Sequence, residues 1–338
     1  MRVTIKTIAE MAGVSRGTVD KVIHDRPGVN VETKEKVLAI IKELNYKPNP
    51  IGKALVQNQS PIKIGVILTP EHNPFIKDML KGIKQAEEEF YAFGIEVITH
   101  IPETLETREH LSILEELERE RVDGIALFPI HDKKVRAKIT ELQEKGISIL
   151  TFNSRVDNIN ELCFVGQDHF KGGKVAAGLM SKLLPDGGEV GIILSSHQLS
   201  CHDDRLSGFI NRLNDCHSAI SIVEIRENQD KRSEAKKIAA KYLTKHPNLK
   251  GIYITGGGVE GVVDAFQSEN RSVKLIGHDL TDGSATLLKE HSIDFIIDQK
   301  PVDQGYIIIK TLFEYLFKKI TPKKFVEIPV EIIMEESL

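Results

Sequence analysis

Cysteine, long apolar runs and a large excess of either charge are what this 338-residue sequence lacks. Its three cysteines, Cys163, Cys201 and Cys216, are too few and too odd in number for a disulfide framework. No apolar run approaches the roughly 20 residues needed to span a bilayer. The start, Met1-Arg2-Val3-Thr4-Ile5-Lys6, has no apolar core behind its charges of the kind a signal peptide needs. A reduced, cytoplasmic, soluble protein with no membrane partner is expected. Repeats with a period of roughly 20 to 50 residues and low-complexity tracts are missing, which excludes solenoids and disordered arrays. A P-loop, a nucleophile elbow, an H-E-x-x-H pair and any nucleophile–base pattern are missing too. No catalytic residues, no metal and no cofactor are therefore expected, and the chain reads as no enzyme.

What is present is an ordinary globular composition, 41% apolar and 28% charged, in a length that suits about two to three domains. The net charge of −4 hides an asymmetry. Residues 1–60 carry ten Lys/Arg against six Asp/Glu, which is net +4 and leaves −8 for the remainder. A small basic head on an acidic body is the electrostatic footprint of a polyanion partner.

The head reads as helices only. Thr4 caps a helix with Ile5, Ile8, Ala9 and Ala12 on one face, and Gly13 ends it. Ser15 caps a second helix bearing Val19, Val22 and Ile23. A third runs over about Glu32–Leu44, and Pro50 opens a short helix to Leu55. Within Thr7–Val19, small Ala9, turn glycine Gly13, apolar Val14 and capping Ser15 fit a helix-turn-helix, whose second helix exposes its first turn to base edges. Arg16, Gly17 and Lys21 lie on that turn. Arg16 has the fork to bond guanine O6 and N7, worth about 1–3 kcal/mol of discrimination. Thr4, Ser15, Thr18 and the amides at helix starts suit phosphates.

From Ile62 the texture changes to short β-branched runs alternating with amphipathic stretches. The strand runs are Lys63–Leu68, Glu96–His100, Gly124–Phe128, Ser148–Phe152, Glu189–Leu194, Ser221–Arg226, Gly251–Thr255, Lys274–Gly277 and Phe295–Asp298. Such alternation makes parallel sheets with helices on both faces. At this length two lobes are expected, with the change of lobe near Asp157–Glu161.

Residues 4–55 resemble the DNA-binding head and hinge of the LacI/GalR family of bacterial transcription regulators. The quoted motif, Pro27-Gly28-Val29, Leu44-Asn45-Tyr46-Lys47-Pro48-Asn49 and Ala54-Leu55 follow that family in order and spacing. Two departures stand out: Asp20-Lys21 stands where the family usually has Ser-Arg, and Gly17 replaces a reading side chain. The body resembles the family's periplasmic sugar-binding fold, with ligand held between lobes at the carboxyl ends of strands. The fold so implied is α/β: an all-α head joined by a hinge helix to a two-lobed domain with parallel sheets. Its expected division is a head over 1–47, a hinge and linker over 48–61, and an effector-binding and dimerisation domain over 62–338. The N-lobe would take about 62–158 and 292–322, and the C-lobe about 159–291 and 323–338.

The resemblance implies a homodimer on a pseudopalindromic double-stranded operator, acting as a repressor under a small-molecule effector. Leu55 falls where the family wedges a leucine between base pairs, and Lys53 is a candidate minor-groove or phosphate contact. Five strand-end places matching the family's effector contacts hold Asn73, Phe75, Arg205, Asp279 and Gln299, with Asn153, Arg155 and Asp203 next in line. The effector expected is a monosaccharide or polyol, or a sugar phosphate given Arg155 and Arg205. In Thr255-Gly256-Gly257-Gly258 glycines occupy a place where the family often has Asn or Asp.

Two other motifs and one other protein class fit parts of the sequence. Gly256–Gly261 matches G-x-G-x-x-G after a strand, with Asp279 eighteen residues beyond, the pattern of an NAD-dependent oxidoreductase. Cys201-His202-Asp203-Asp204 is a conceivable metal set, though a solvated loop is the favoured reading. A transport-type sugar-binding protein is the third class, and the head argues against it.

Overall fold

The structure, a computed structural model, describes residues 5–23, 26–44, 61–216 and 219–338. It divides into two units, residues 1–60 and 61–338. Among the described residues no helix is long and apolar enough to cross a membrane.

The head unit contains α1 (Ile5–Ala12), α2 (Arg16–Ile23) and α3 (Val31–Glu43). Ile8, Ala9, Ala12, Val19, Val22, Val37 and Ile40 form one buried core, as the helical spacing of those residues requires. Gly13 takes φ +69°, the left-handed turn that lets Val14 N–H donate to Ala9 C=O at 3.0 Å. Ser15 Oγ accepts from Thr18 N–H at 3.1 Å, and Asn30 Oδ1 accepts from Thr33 N–H at 2.8 Å, so both following helices are side-chain capped. The expected Thr4 cap and the Pro50–Leu55 helix lie outside the described residues.

The second unit holds two six-stranded sheets. The first is built from β1 (Ile62–Ile67), β2 (Ile95–His100), β3 (Gly124–Leu127), β4 (Ser148–Phe152), β5 (Cys163–Gly166) and β11 (Phe325–Glu327). Its order is β11-β5-β4-β3-β1-β2, all parallel. The second contains β6 (Gly188–Leu194), β7 (Ile220–Glu227), β8 (Leu249–Ile254), β9 (Lys274–His278), β10 (Phe295–Asp298) and β12 (Glu331–Ile333). Its order is β12-β10-β9-β8-β6-β7, and only β12 runs antiparallel. Central strands such as β3 and β4 are almost wholly buried, which is why they read as continuous apolar runs. The helices are α4 (Pro74–Phe90), α5 (Thr107–Arg119), α6 (Lys133–Glu144), α7 (His169–Leu183), α8 (Ser200–Asp215), α9 (Arg232–Lys245), α10 (Val259–Ser268), α11 (Asp282–Lys289) and α12 (Pro301–Leu316).

Strand pairing puts the lobe crossings elsewhere than at 158/159, 291/292 and 322/323. Cys163–Gly166 pairs with β4 and stays in the first lobe, so the first crossing follows Gly166. β10 pairs with β9 in the second lobe, and α12 then packs on α4 in the first. β11 pairs with β5 before β12 returns to β10. One side chain ties all three crossings. Gln167, 2% exposed on the first, donates from Nε2 to Asp298 C=O at 2.7 Å and to Pro329 C=O at 2.9 Å.

Gln167→Leu leaves both carbonyls without that donor. It should lower stability by about 1–3 kcal/mol, read as a fall in the urea midpoint. An unchanged midpoint would show that the crossings are held by other contacts.

Candidate functional site

Two surfaces carry the chemistry-bearing residues. On the head, Ser15, Arg16, Gly17 and Lys21 are exposed, and Thr18 is half-buried with its hydroxyl 2.9 Å from Ser15 Oγ. The capped start of α2 therefore presents Arg16 outward. A Cβ at position 17 would make only an ordinary contact, with Ser15 Oγ at 3.7 Å, so a side chain fits there and Gly17 leaves the reading face flat beside Arg16. Asp20 pairs with Arg26 at 3.2 Å, which ties its negative charge to the head's own arginine. Thr4, Lys53 and Leu55 lie outside the described residues.

In the second unit, strand ends from both sheets converge on one cavity. The first lobe contributes Thr69, Asn73, Phe75, Phe128 and Asn153; the second contributes Leu199, Cys201, His202, Arg205, Asp230, Gly256 and Asp279, with Gln299 at the second crossing. About 10 Å³ is left free between these side chains. Asn73 caps α4 by accepting from Phe75 N–H at 3.0 Å, which sets Phe75, 1% exposed, against the cavity. Asn153 and Asp279 hold φ of +58° and +69°. Asn and Asp tolerate that region better than other side chains, and residues held there cluster at functional sites.

Arg205 is the centre of the cluster and is 1% exposed. Nη1 donates to Thr255 C=O at 2.6 Å and Nη2 to Gln299 Oε1 at 2.9 Å. Gln299 Nε2 in turn donates to Asp279 Oδ1 at 2.6 Å, and Gln304 Nε2 fixes Gln299 through its carbonyl at 2.6 Å. Gly173 on α7 brings the two helix backbones together: a Cβ there would stand 2.0 Å from Arg205 C=O. Three buried histidines surround the guanidinium. Burial first, and then the Arg205 charge, hold His169 and His278 well below the ordinary range. His202 is pushed down to about 4, chiefly by burial. Burial also pushes the Asp279 carboxyl up to about 7, against the opposing pull of Arg205 and Gln299. Arg205 is thus the cavity's one arginine, among neutral imidazoles. Its Nε, Asn153 Oδ1 and Ser195 Oγ are buried with no partner among the described residues.

Of the eight side chains expected at an effector, six meet here: Asn73, Phe75, Asn153, Arg205, Asp279 and Gln299. Arg155 does not, because its guanidinium stacks 3.9 Å from the Phe164 ring centroid and 5.3 Å from that of Phe325, outside the cavity. Asp203 does not, because it faces solvent and meets His197 Nδ1 at 2.5 Å. Asp230, His202 and Thr69 were missed. His202 lies one turn before Arg205 on α8, so the helical spacing from Arg205 is the signal that points to it.

Residues 201–204 form the first turn of α8 rather than a solvated loop. Their side chains diverge: Cys201 joins the first lobe's core, His202 meets Thr255, and Asp203 meets His197. Among the described residues no cluster could hold a metal ion. The glycine run also differs from a dinucleotide loop. Gly257 N–H donates to Asp230 Oδ1 at 2.7 Å, so a carboxylate of the chain itself takes a backbone donor that a pyrophosphate would need.

The family described as Periplasmic binding protein domain matches residues 64–320, and that described as Bacterial regulatory proteins, lacI family, matches residues 4–49. The HTH-type transcriptional regulator RegA of Clostridium saccharobutylicum is 25% identical, over 100% of this chain and 99% of its own. The HTH-type transcriptional regulator MalR of Streptococcus pneumoniae is 27% identical, over 94% of this chain and 93% of its own. GanP, a glucose-galactose binding protein from Geobacillus stearothermophilus, has the same fold, with TM-score 0.76 at 23% identity over 82% of this chain and 99% of that one.

Asp279 has a pH signature. Its folded value of about 7 lies above the ordinary 3.8, so the folded chain keeps a proton that the unfolded chain releases. That contribution is fully present below about pH 4 and is lost as pH rises through 7. Asp279→Asn removes it. Relative to the unaltered chain, the variant should gain about 2–3 kcal/mol between pH 5 and pH 8 in urea unfolding, and a difference that stays flat would contradict the assignment.

Proposed function

We propose a function on the premise that the chain belongs to the lacI family of bacterial regulatory proteins, with a periplasmic binding protein domain as its body. It is a DNA-binding transcriptional repressor of the cytoplasm, not an enzyme, whose hold on its operator is set by a neutral sugar or polyol. The observation that carries the effector assignment is the cavity itself: a fully buried Arg205 braced by Gln299 and Asp279, with Asn73, Asn153 and the Phe75 ring at the ends of facing strands. Amide, carboxylate and guanidinium groups beside an aromatic face suit hydroxyls on a carbon ring. A sugar phosphate is less well served. Arg155 is turned away, and Asp279 and Asp230 flank Arg205 in the cavity.

On the DNA side, the first turn of α2 enters the major groove, Arg16 reads a guanine edge, and Ser15, Thr18 and Lys21 meet phosphates. Thr4, Lys53 and Leu55 join that interface on the sequence alone. A homodimer sets two heads on the half-sites of a pseudopalindrome, and the linker carries the state of the body to them.

The free volume of about 10 Å³ is barely that of one water, so a ring enters only if the lobes part or the cluster rearranges. The closed arrangement is held by contacts across the cleft. Ser200 N–H donates to Ser154 Oγ at 2.8 Å, His131 N–H donates to Gln198 C=O at 2.7 Å, and His72 Nε2 lies 2.9 Å from Gln229 C=O. The effector acts by binding two lobe arrangements unequally; equal binding would shift nothing.

A thermal-shift panel of neutral sugars, polyols, sugar phosphates and nicotinamide dinucleotides tests this reading. A neutral sugar present at about 100 times its Kd should stabilise the body by about 2.7 kcal/mol. Arg205→Lys keeps the charge but loses the fork, and should weaken that sugar at least about tenfold while leaving DNA retention intact. Stabilisation by dinucleotides alone would overturn the reading.

A further inference from the structure

Asp230 reaches the cleft from the loop after β7, and the chain adopts an unusual backbone to put it there. Gln229 and Asp230 sit consecutively at φ 52° and 55°, a region that L side chains rarely adopt. Neighbours hold the loop firmly in that shape. Asn228 N–H donates to Leu194 C=O at 2.9 Å, Gln229 N–H to Ser195 C=O at 2.8 Å, and Lys231 N–H to Asn228 C=O at 3.0 Å. The buried Asn228 side chain accepts from Asp230 N–H at 3.3 Å and donates to Gly257 C=O at 2.7 Å. Consecutive backbone outliers held in this way point to a use for the side chain they aim.

The neighbouring loop makes room for that side chain. A Cβ on Gly256 would stand 2.7 Å from Asp230 Oδ1 and 2.7 Å from His202 Cε1, so glycine is what lets the carboxylate and the imidazole occupy this side of the cavity. Oδ1 accepts from Gly257 N–H. Oδ2 has no hydrogen-bond partner among the described residues. Asp230 also lines a second, outer chamber of about 260 Å³, which shares Thr69 and Leu199 with the inner cavity and continues outward past Gln198 and Lys231. The free carboxylate oxygen therefore belongs to a residue at the junction of the two chambers.

We propose that Asp230 is an effector-binding and specificity-determining residue. Its Oδ2 accepts a hydroxyl from the outward end of the ligand, while Oδ1 stays on Gly257. This rests on the reading of the cleft as a sugar site, and it narrows the ligand class to a neutral sugar that points a hydroxyl, not a phosphate, toward the outer chamber. A carboxylate there repels an anionic group and accepts from a hydroxyl.

The full chain is titrated calorimetrically with D-ribose, L-arabinose, D-galactose, maltose and ribose 5-phosphate, alongside Asp230→Asn. Asn tolerates the left-handed region, keeps an oxygen for Gly257 N–H and removes the charge. The neutral sugar that binds the unaltered chain should bind the variant at least about tenfold more weakly, and the preference over ribose 5-phosphate should narrow. Melting of the sugar-free variant within a few degrees of the unaltered chain shows that the fold is kept. If it melts well below, Asp230→Glu, which restores the charge, should recover the preference over the phosphate. Equal binding by the variant would overturn the proposal, as would an equal loss toward every probe, which marks a structural role alone. If no probe binds the unaltered chain either, the sugar-site reading itself fails and the proposal falls with it.

Discussion

A guanidinium with 1% of its surface exposed is the constraint on which the body of this protein depends. Burying an unpaired charge costs several kcal/mol, so every element near Arg205 is arranged to compensate it. β8 delivers the Thr255 carbonyl, the second lobe crossing delivers Gln299, and Gln299 is itself held by Asp279 and Gln304. α7 presses a glycine against the Arg205 carbonyl, which fixes α8 in register. Charge and burial together keep the surrounding histidines neutral. What results is a preorganised polar cavity with its hydrogen-bonding groups already braced by the protein.

The same cluster explains how the lobes communicate. Gln299 lies at a crossing between them, next to Asp298, whose carbonyl Gln167 ties to the other two crossings. On the opposite side, Leu199 and Cys201 from the start of α8 pack into the first lobe's core, a few residues before Arg205 on the same helix. A ligand that displaces Arg205 or Gln299 therefore acts on both the hinge and the closing contacts. Packed interfaces of this kind switch between discrete arrangements, not through continuous deformation.

Much of this was legible in the sequence, for definite physical reasons. The head's caps, turn glycine and apolar spacing are local signals, and α1, α2 and α3 stand within a residue or two of where those signals put them. Strand ends in parallel sheets face a common edge, so polar residues just after β-branched runs pointed to Asn73, Asp279 and Gln299. What failed was direction and pairing. Arg155 follows its strand as Asn153 does, yet it stacks on Phe164 and Phe325, rings brought there by strand pairing that no local pattern encodes. β5 has four residues and β11 and β12 three each, too short to show a period. Asp230 depends on two left-handed residues with no glycine to announce them.

The most direct test of the central claim, that ligand in the Arg205 cavity changes the arrangement of the lobes, is a distance between them. Cys216 is the exposed cysteine among the three and lies just past α8 in the second lobe; Glu88→Cys places a second label on exposed α4 in the first. Electron–electron double resonance on protomers labelled at both sites, diluted with unlabelled chain, reads the Cys216–Glu88→Cys distance as the sugar is titrated. A shift of the distance distribution that saturates with sugar occupancy is the predicted result. A distribution that stays unchanged while the cavity fills would contradict the account.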